Sequence, residues 1–339
     1  MGIKDWFKNK TERKEQWEDA FHDEDNKITI PLSKKLDENI KNLEILFQDC
    51  GDFVRRKFPV GVNKEINVFI AYIDLMIDRR IIEESLLEQL IVQIRSVPPQ
   101  MDRIKTSIYE FIRDGGLATA DIKEVESLDE AVLAILSGDT ILIIDGYAKV
   151  IVISTKGWPN RGIQELDSEV VIRGSKEGFT EALRMNTVLI RRRIRDTKLK
   201  VKQLQIGTRS RTDIAIMYLD DIVRKDILED LEKRLDSFKI DSILDSSYIE
   251  ELIQQDWMSP FPQIQATQRP DKAASAILEG RIAIVVDNSP FVLLIPSTIN
   301  NFFQSSEDYY DRWTIMSFTR LIRFIAAFFL LGYLAFISL

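Results

Sequence analysis

With one cysteine and one histidine in 339 residues, the chain lacks the parts for several familiar chemistries. Cys50 alone forms no intrachain disulfide. Cys50 and His22 together fall short of a Cys/His zinc site, and a Ser-His-Asp triad would have to draw on His22 in a charged N-terminal arm. An apolar h-region is also missing from the charged start Met1–Asn26, so no secretory signal is read there, and Trp6 stands where a myristoylation site needs Ser or Thr. Basic excess is missing too: Lys and Arg number 46 against 54 acids, net −8, which argues against a general nucleic-acid binder. Gly157-Trp158-Pro159-Asn160-Arg161-Gly162 is followed by Ile163-Gln164 and not by the Lys-Ser/Thr that grips phosphate and magnesium, so it is read as a turn. Asp23-Glu24-Asp25-Asn26 has Lys27 at a calcium-ligand position and no glycine after it, and is read as a solvated acidic run. Asp220 and Asp221, being adjacent, face different directions and are no ready acid–base pair. No enzyme activity, metal or cofactor is expected.

What remains is a chain 45% hydrophobic and 29% charged, long enough for about two domains with sizeable cores. Its end is apolar. Phe324–Leu339 runs 16 residues without a charge, about 24 Å as a helix against a hydrocarbon core of about 30 Å. Phe324, Phe328, Leu330, Leu334 and Leu339 belong to a run apolar on every side, read as the start of a membrane helix in contact with lipid. Arg312, Arg320 and Arg323 before it predict that the preceding residues are cytoplasmic.

Apolar spacing predicts a helix through Leu36, Ile40, Leu43 and Phe47, opened by Ser33, a strand over Ile66–Ile73, and a helix through Ile81, Ile82, Leu86, Leu90 and Ile94. Ile141–Ile144 and Val150–Ile153 read as a hairpin across Asp145-Gly146. A helix near Thr180–Arg195 leads to strands over Val201–Ile206 and Ile214–Leu219, a helix through Ile222, Val223, Ile227, Leu228, Leu231 and Leu235, and a second hairpin, Ile282–Val286 with Phe291–Ile295. The two halves match. At an offset of 142, Asp129, Ala131, Ala134, Ile135, Leu136, Gly138 and Asp145 fall on Asp271, Ala273, Ala276, Ile277, Leu278, Gly280 and Asp287. At 146, Tyr72-x-Asp74 falls on Tyr218-x-Asp220. The fold class is therefore mixed α/β: two similar α/β subdomains in tandem, followed by a C-terminal membrane helix. The divisions are a flexible charged arm 1–32, subdomain 33–155, a connecting segment with a basic helix 156–200, subdomain 201–305, a juxtamembrane helix 306–323 and the membrane helix from 324.

From Arg173 to Asp213 there are 12 Lys and Arg against four acids, net +8, so the rest of the chain sums to −16. On a helix Arg184, Arg191 and Arg195 form nearly one stripe. Anionic lipid, RNA phosphates and acidic protein surfaces are the candidate partners. RNA is set aside because stacking aromatics are not interleaved, and ion pairing within or between subunits is preferred.

The segment Arg173-Gly174-Ser175-Lys176-Glu177-Gly178-Phe179-Thr180-Glu181, followed by Asn186 and Leu189-Ile190-Arg191-Arg192-Arg193-Ile194-Arg195, resembles the GerA family, the A subunits of spore germinant receptors. Ser259-Pro260-Phe261-Pro262-Gln263, Thr267-Gln268-Arg269-Pro270-Asp271 and Glu307-Asp308-Tyr309-Tyr310 continue the likeness, which covers about residues 33–339. Leu166, Lys176 and Gln268 depart from the family pattern. The resemblance implies an N-terminal region of two α/β subdomains on the cytoplasmic (spore core) side of the spore inner membrane, taking in residues 1–320 of this chain. It also implies partnership with B and C subunits, self-association, and a role in coupling nutrient sensing to ion release. An accessory germination protein of the same family and a cytoplasmic small-ligand sensor are the alternatives. The candidate subunit-contact or structural residues are Arg173, Gly174, Glu177, Gly178, Phe179, Glu181, Arg184, Asn186, Arg191, Arg192, Arg195, Arg269 and Asp271.

Overall fold

The computed structural model describes residues 28, 30–60, 66–78, 80–81, 121–158, 169, 175–254, 262–298, 317–327 and 329. The first repeat runs α1 (Leu36–Leu46), β1 (Phe53–Val60), β2 (Ile66–Ile73), β3 (Ile122–Val125), α2 (Leu128–Leu136), β4 (Thr140–Ile144) and β5 (Val150–Ile153). The second runs α3 (Leu183–Arg191), β6 (Leu199–Ile206), β7 (Thr212–Leu219), α4 (Lys225–Ser237), α5 (Ser246–Ile253), β8 (Gln265–Thr267), α6 (Pro270–Leu278), β9 (Ile282–Val286) and β10 (Val292–Ile295). Each repeat builds one antiparallel five-stranded sheet, in the order β1-β2-β4-β5-β3 and β6-β7-β9-β10-β8. The tandem duplication expected from the offsets is the architecture, and it reaches further upstream than those offsets: α1 and α3 are counterparts.

The central strands are apolar on both faces because both faces are covered. In the second repeat Ala215, Met217, Ala283 and Val285 face α3 and α6, while Ile214, Ile216, Ile284 and Leu293 face α4 and α5. In the first, Phe69, Ala71, Ile141 and Ile143 face α1 and α2. Edge strands β1 and β6 read differently, with exposed charged residues at mid-strand. Helices α2 and α6 end on Gly138 and Gly280, at φ +89° and +84°. The next amide reaches back in each case, Asp139 N to Ala134 O and Arg281 N to Ala276 O, both at 3.0 Å. A left-handed residue is needed there, which is why glycine recurs at the 142 offset.

Each repeat also fixes its first helix by a pair of polar residues. Asp145 Oδ1 accepts from Leu36 N at 3.2 Å, and Asp287 Oδ1 from Leu183 N at 3.0 Å. Asn39 holds both backbone groups of Ser33, and Asn186 both those of Thr180. Ser33 is thus held by the helix and does not cap it; the α1 N-cap is Lys35, with no side-chain bond.

Ile28, Ile30 and Leu32 pack on the first core, so the chain joins this repeat before residue 33. The rest of the expected arm, all but Ile81 of the helix through Ile94, and residues 306–316 lie outside the described residues. Residues 317–327 are helical, with Phe318, Leu321, Ile322, Phe324 and Ile325 exposed. Phe328, Leu330, Leu334 and Leu339 also lie outside the described residues, among which no helix is long and apolar enough to cross a membrane.

Candidate functional site

The basic segment folds into the second repeat rather than linking the two. Leu183, Ile190 and Ile194 enter the core under β7 and β9, and the polar side of α3 is turned toward the first repeat. There the edge strands of the two sheets meet. Gly51 N donates to Val201 O at 2.9 Å and Val201 N to Asp49 O at 3.0 Å, a short parallel bridge just before β1.

Behind that bridge lies Arg191, 0% exposed. Its Nε and Nη2 donate to Asp52 Oδ2 and Oδ1, both at 2.8 Å, and its Nη1 donates to Leu199 O at 3.0 Å. Burial works against the guanidinium charge, but the Asp52 carboxylate and Cys50 together more than offset it, so its pKa is raised. The planar fork satisfies both carboxylate oxygens and one strand carbonyl at once, a geometry lysine does not offer. A second pair lies outside the first: Arg184 Nη1 donates to Asp74 Oδ2 at 2.8 Å, and Asp74 N donates to Asp52 O. Asp52, Arg56, Tyr72, Asp74, Arg184 and Gln203 line a cavity of about 300 Å³ between the repeats. Burial, with Asp49 nearby, pushes the Tyr218 phenol up to about 12.

Cys50 sits in the same junction, its Sγ 3.5 Å from Leu199 O. Burial pushes its thiol pKa up, against the opposing effect of Arg191. The folded chain therefore holds the thiol proton more tightly than the unfolded one. The contribution to stability is full below the unfolded pKa of about 8.5 and declines as pH rises above it. At pH 8 we expect Cys50 to react with a disulfide reagent at least about a hundredfold more slowly than a free thiol, and at the free rate in denaturant. A fast native reaction would mean that the junction is open in solution.

The other sequence candidates divide clearly. Arg192 and Arg193 both pair with Glu177, at 3.0 and 2.8 Å, and the Arg192 guanidinium lies 4.5 Å over the Trp158 ring. Phe179 is buried and its N–H donates to Gln268 O. Gly178 lies between them, half-buried. Glu181 is exposed, and its carbonyl accepts from Asn288 N. Arg269 is 1% exposed, with Nη2 2.7 Å from Asp271 Oδ2. Arg195 is exposed and lies past the end of α3, off the stripe expected for it. Arg191 faces inward, so no outward stripe of Arg184, Arg191 and Arg195 forms. Arg173 and Gly174 lie outside the described residues.

Two partners escaped the sequence reading. Asp52 has no local signal because its arginine is 139 residues away, and Glu169 draws together Thr267, Gln268 and Lys272 across 98 to 103 residues. Asp74 was visible only as half of the repeated Tyr-x-Asp.

Two copies of one five-stranded α/β unit, joined at their edge strands by a buried ion pair and an outer, more exposed one, define a tandem-repeat domain. The sequence profile of the Bacillus/Clostridium GerA spore germination protein matches residues 41–338, and the chain belongs to that family. It is 35% identical to spore germination protein KA of Bacillus subtilis (strain 168) over 299 residues, 88% of this chain and 54% of that one. It is 37% identical to the uncharacterized membrane protein YfkQ of the same organism, over 88% of this chain and 56% of that one. Spore germination protein A1 of that organism is 39% identical over 208 residues, 61% of this chain and 43% of that one. The chain spans about half the length of these curated relatives. The crystal structure of the N-terminal domain of the A subunit of the Bacillus megaterium spore germinant receptor GerK3 is similar at a TM-score of 0.61 and 30% identity, covering 80% of this chain and 98% of that one.

Proposed function

We propose that this chain is the cytoplasmic N-terminal part of a germinant-receptor A subunit in the spore inner membrane. In this reading it assembles with itself and with B and C subunits, and couples nutrient sensing to ion release without catalysing a reaction. The observation that carries the reading is the likeness to a germinant-receptor A-subunit domain over 98% of that domain. The exposed apolar side chains of residues 317–327, which follow the second repeat, support attachment to a membrane and its lipid. The buried junction supports a scaffold role, since a pair of repeats fixed by Arg191 and Asp52 can pass a displacement from one repeat to the other. Of Arg184, Arg191 and Arg195, the last, exposed and past the end of α3, is the one offered to a neighbouring subunit.

The test is potassium release from nutrient-challenged spores that carry this receptor as their only one, with and without its gene. Loss of release on deletion is the expected result. Slowed release would favour an accessory role within the family, and unchanged release would overturn both. A small-ligand sensor is the second reading, favoured by the polar cavity between the repeats; no thermal shift of the chain with any nutrient that triggers release would set it aside.

A further inference from the structure

The two repeats carry opposite charge at one matched place, the step from β3 to α2 and from β8 to α6. The registers agree there: Val125 pairs with Val150, and Thr267 with Val292, both at the offset of 142. In the first repeat residues 125–130 read Val-Glu-Ser-Leu-Asp-Glu, three acids and no base. Ser127 caps its own helix, accepting from Glu130 N at 3.2 Å. In the second, residues 267–272 read Thr-Gln-Arg-Pro-Asp-Lys, one acid and two bases. Arg269 stands at the N-cap, and its side chain makes no capping bond.

The donors at this helix start converge on a carboxylate about a hundred residues away in sequence. Glu169 Oε2 accepts from Thr267 Oγ1 at 2.7 Å and from Gln268 N at 3.1 Å, and its Oε1 accepts from Lys272 Nζ at 3.0 Å. Arg269 Nη1 donates to the Glu169 carbonyl at 3.4 Å, while Nη2 donates to Asp271 at 2.7 Å. Thr267 and Arg269 are each 1% exposed, and the Lys272 and Glu169 side chains 13% and 20%.

A hydroxyl, a backbone amide and an ammonium thus surround both oxygens of one carboxylate, sheltered from most water. Such charge-assisted bonds are stronger than neutral ones, and shelter strengthens them further. Without that carboxylate the Lys272 ammonium would stay largely buried and lose its counter-charge, which is costly. The first repeat offers nothing comparable. Val125 replaces the hydroxyl, and Glu126 and Glu130, in place of Gln268 and Lys272, would repel an anion.

We propose that the start of α6 is a carboxylate-binding site and that Glu169 fills it as an internal ligand, an autoinhibitory contact that keeps other carboxylates out. A free carboxylate takes Thr267 Oγ1, Gln268 N and Lys272 Nζ in the same way once the Glu169 side chain has left. Tethering favours Glu169, because an internal ligand competes at a high effective concentration. The inference stands on the contacts around Glu169 and on the duplicated fold, and does not depend on the receptor assignment.

The test is the melting temperature of the full chain in detergent micelles, for the parent and for Glu169→Ala, with about 100 mM sodium acetate, sodium chloride or acetamide. Acetate restores the atoms that the substitution removes, and the carbonyl of residue 169 remains available to Arg269. In chloride, Glu169→Ala is expected to melt about 5 °C below the parent. Acetate should recover at least about half of that loss. Acetamide has the shape without the charge and should recover none. The parent, with its site filled, should not respond to acetate. Adding Lys272→Ala to Glu169→Ala should abolish the recovery. If Glu169→Ala does not fold in chloride, its refolded yield in acetate against acetamide is the readout, and acetate should raise it severalfold. Equal results in acetate, chloride and acetamide, a recovery that survives Lys272→Ala, or an equal acetate response in the parent would each overturn the proposal.

Discussion

Arg191→Ala is expected to lower the unfolding free energy by about 3–5 kcal/mol, because it leaves the Asp52 carboxylate buried without its counter-charge. Asp52 is 6% exposed and takes two guanidinium bonds, so little water reaches it to compensate. Arg191→Lys should recover less than half of the loss, since one ammonium cannot span two carboxylate oxygens and Leu199 O together. The double variant Arg191→Met with Asp52→Leu removes both charges and should be less destabilised than Arg191→Ala alone. The pair also joins the repeats, so its loss should let the junction open before either core melts. In urea, Cys50 labelling in Arg191→Ala should then precede the loss of helical circular dichroism, whereas in the parent chain the two should coincide. A loss under about 1 kcal/mol, or coincident labelling in both proteins, would show that the ion pair does not hold the junction.

That pair also marks where sequence reading stops. The runs Ile141–Ile144, Val150–Ile153, Ile282–Val286 and Val292–Ile295 are legible because a strand covered on both faces must be apolar throughout. Gly138 and Gly280 are legible because a left-handed helix end admits little else. Both signals are local, and together they disclosed the duplication. Strand β1 was missed because an edge strand needs no such run: Arg55, Arg56 and Lys57 occupy its middle. The arginine stripe was misdrawn for a related reason. Arg184, Arg191 and Arg195 align only if the helix continues, yet α3 ends at Arg191 and the chain turns toward β6. Nothing near Arg191 in sequence announces that its carboxylate comes from the other repeat. The offset of 147 that relates α1 to α3 places Glu44 opposite Arg191, and Glu44 pairs on the surface with Arg55. The same helix position thus carries an exposed acid in one copy and a buried cation in the other, and only the tertiary fold distinguishes them.

The duplicated asparagines allow the two copies to be compared by one substitution. Asn186 accepts from Thr180 N at 2.7 Å and donates to Thr180 O at 2.5 Å, entirely buried. Asn186→Ala strands a buried backbone donor and acceptor together, and should cost about 2–4 kcal/mol. Asn39 makes the same two bonds to Ser33, at 2.9 and 2.6 Å, but Ser33 is only half-buried. Water can replace the lost partner there, so Asn39→Ala should cost about half as much. Asn186→Asp separates bonding from shape. An ionised carboxylate keeps the acceptor for Thr180 N, loses the donor for Thr180 O, and places a charge in the core. At pH 7 this variant should be at least as unstable as Asn186→Ala. Burial raises the pKa of the new carboxyl, and its protonated form can donate to Thr180 O. Its deficit relative to the parent chain should therefore shrink as pH falls toward about 5, while the deficit of Asn186→Ala stays constant. Parallel pH profiles for the two variants would mean that volume, not the paired backbone bonds, is what Asn186 supplies.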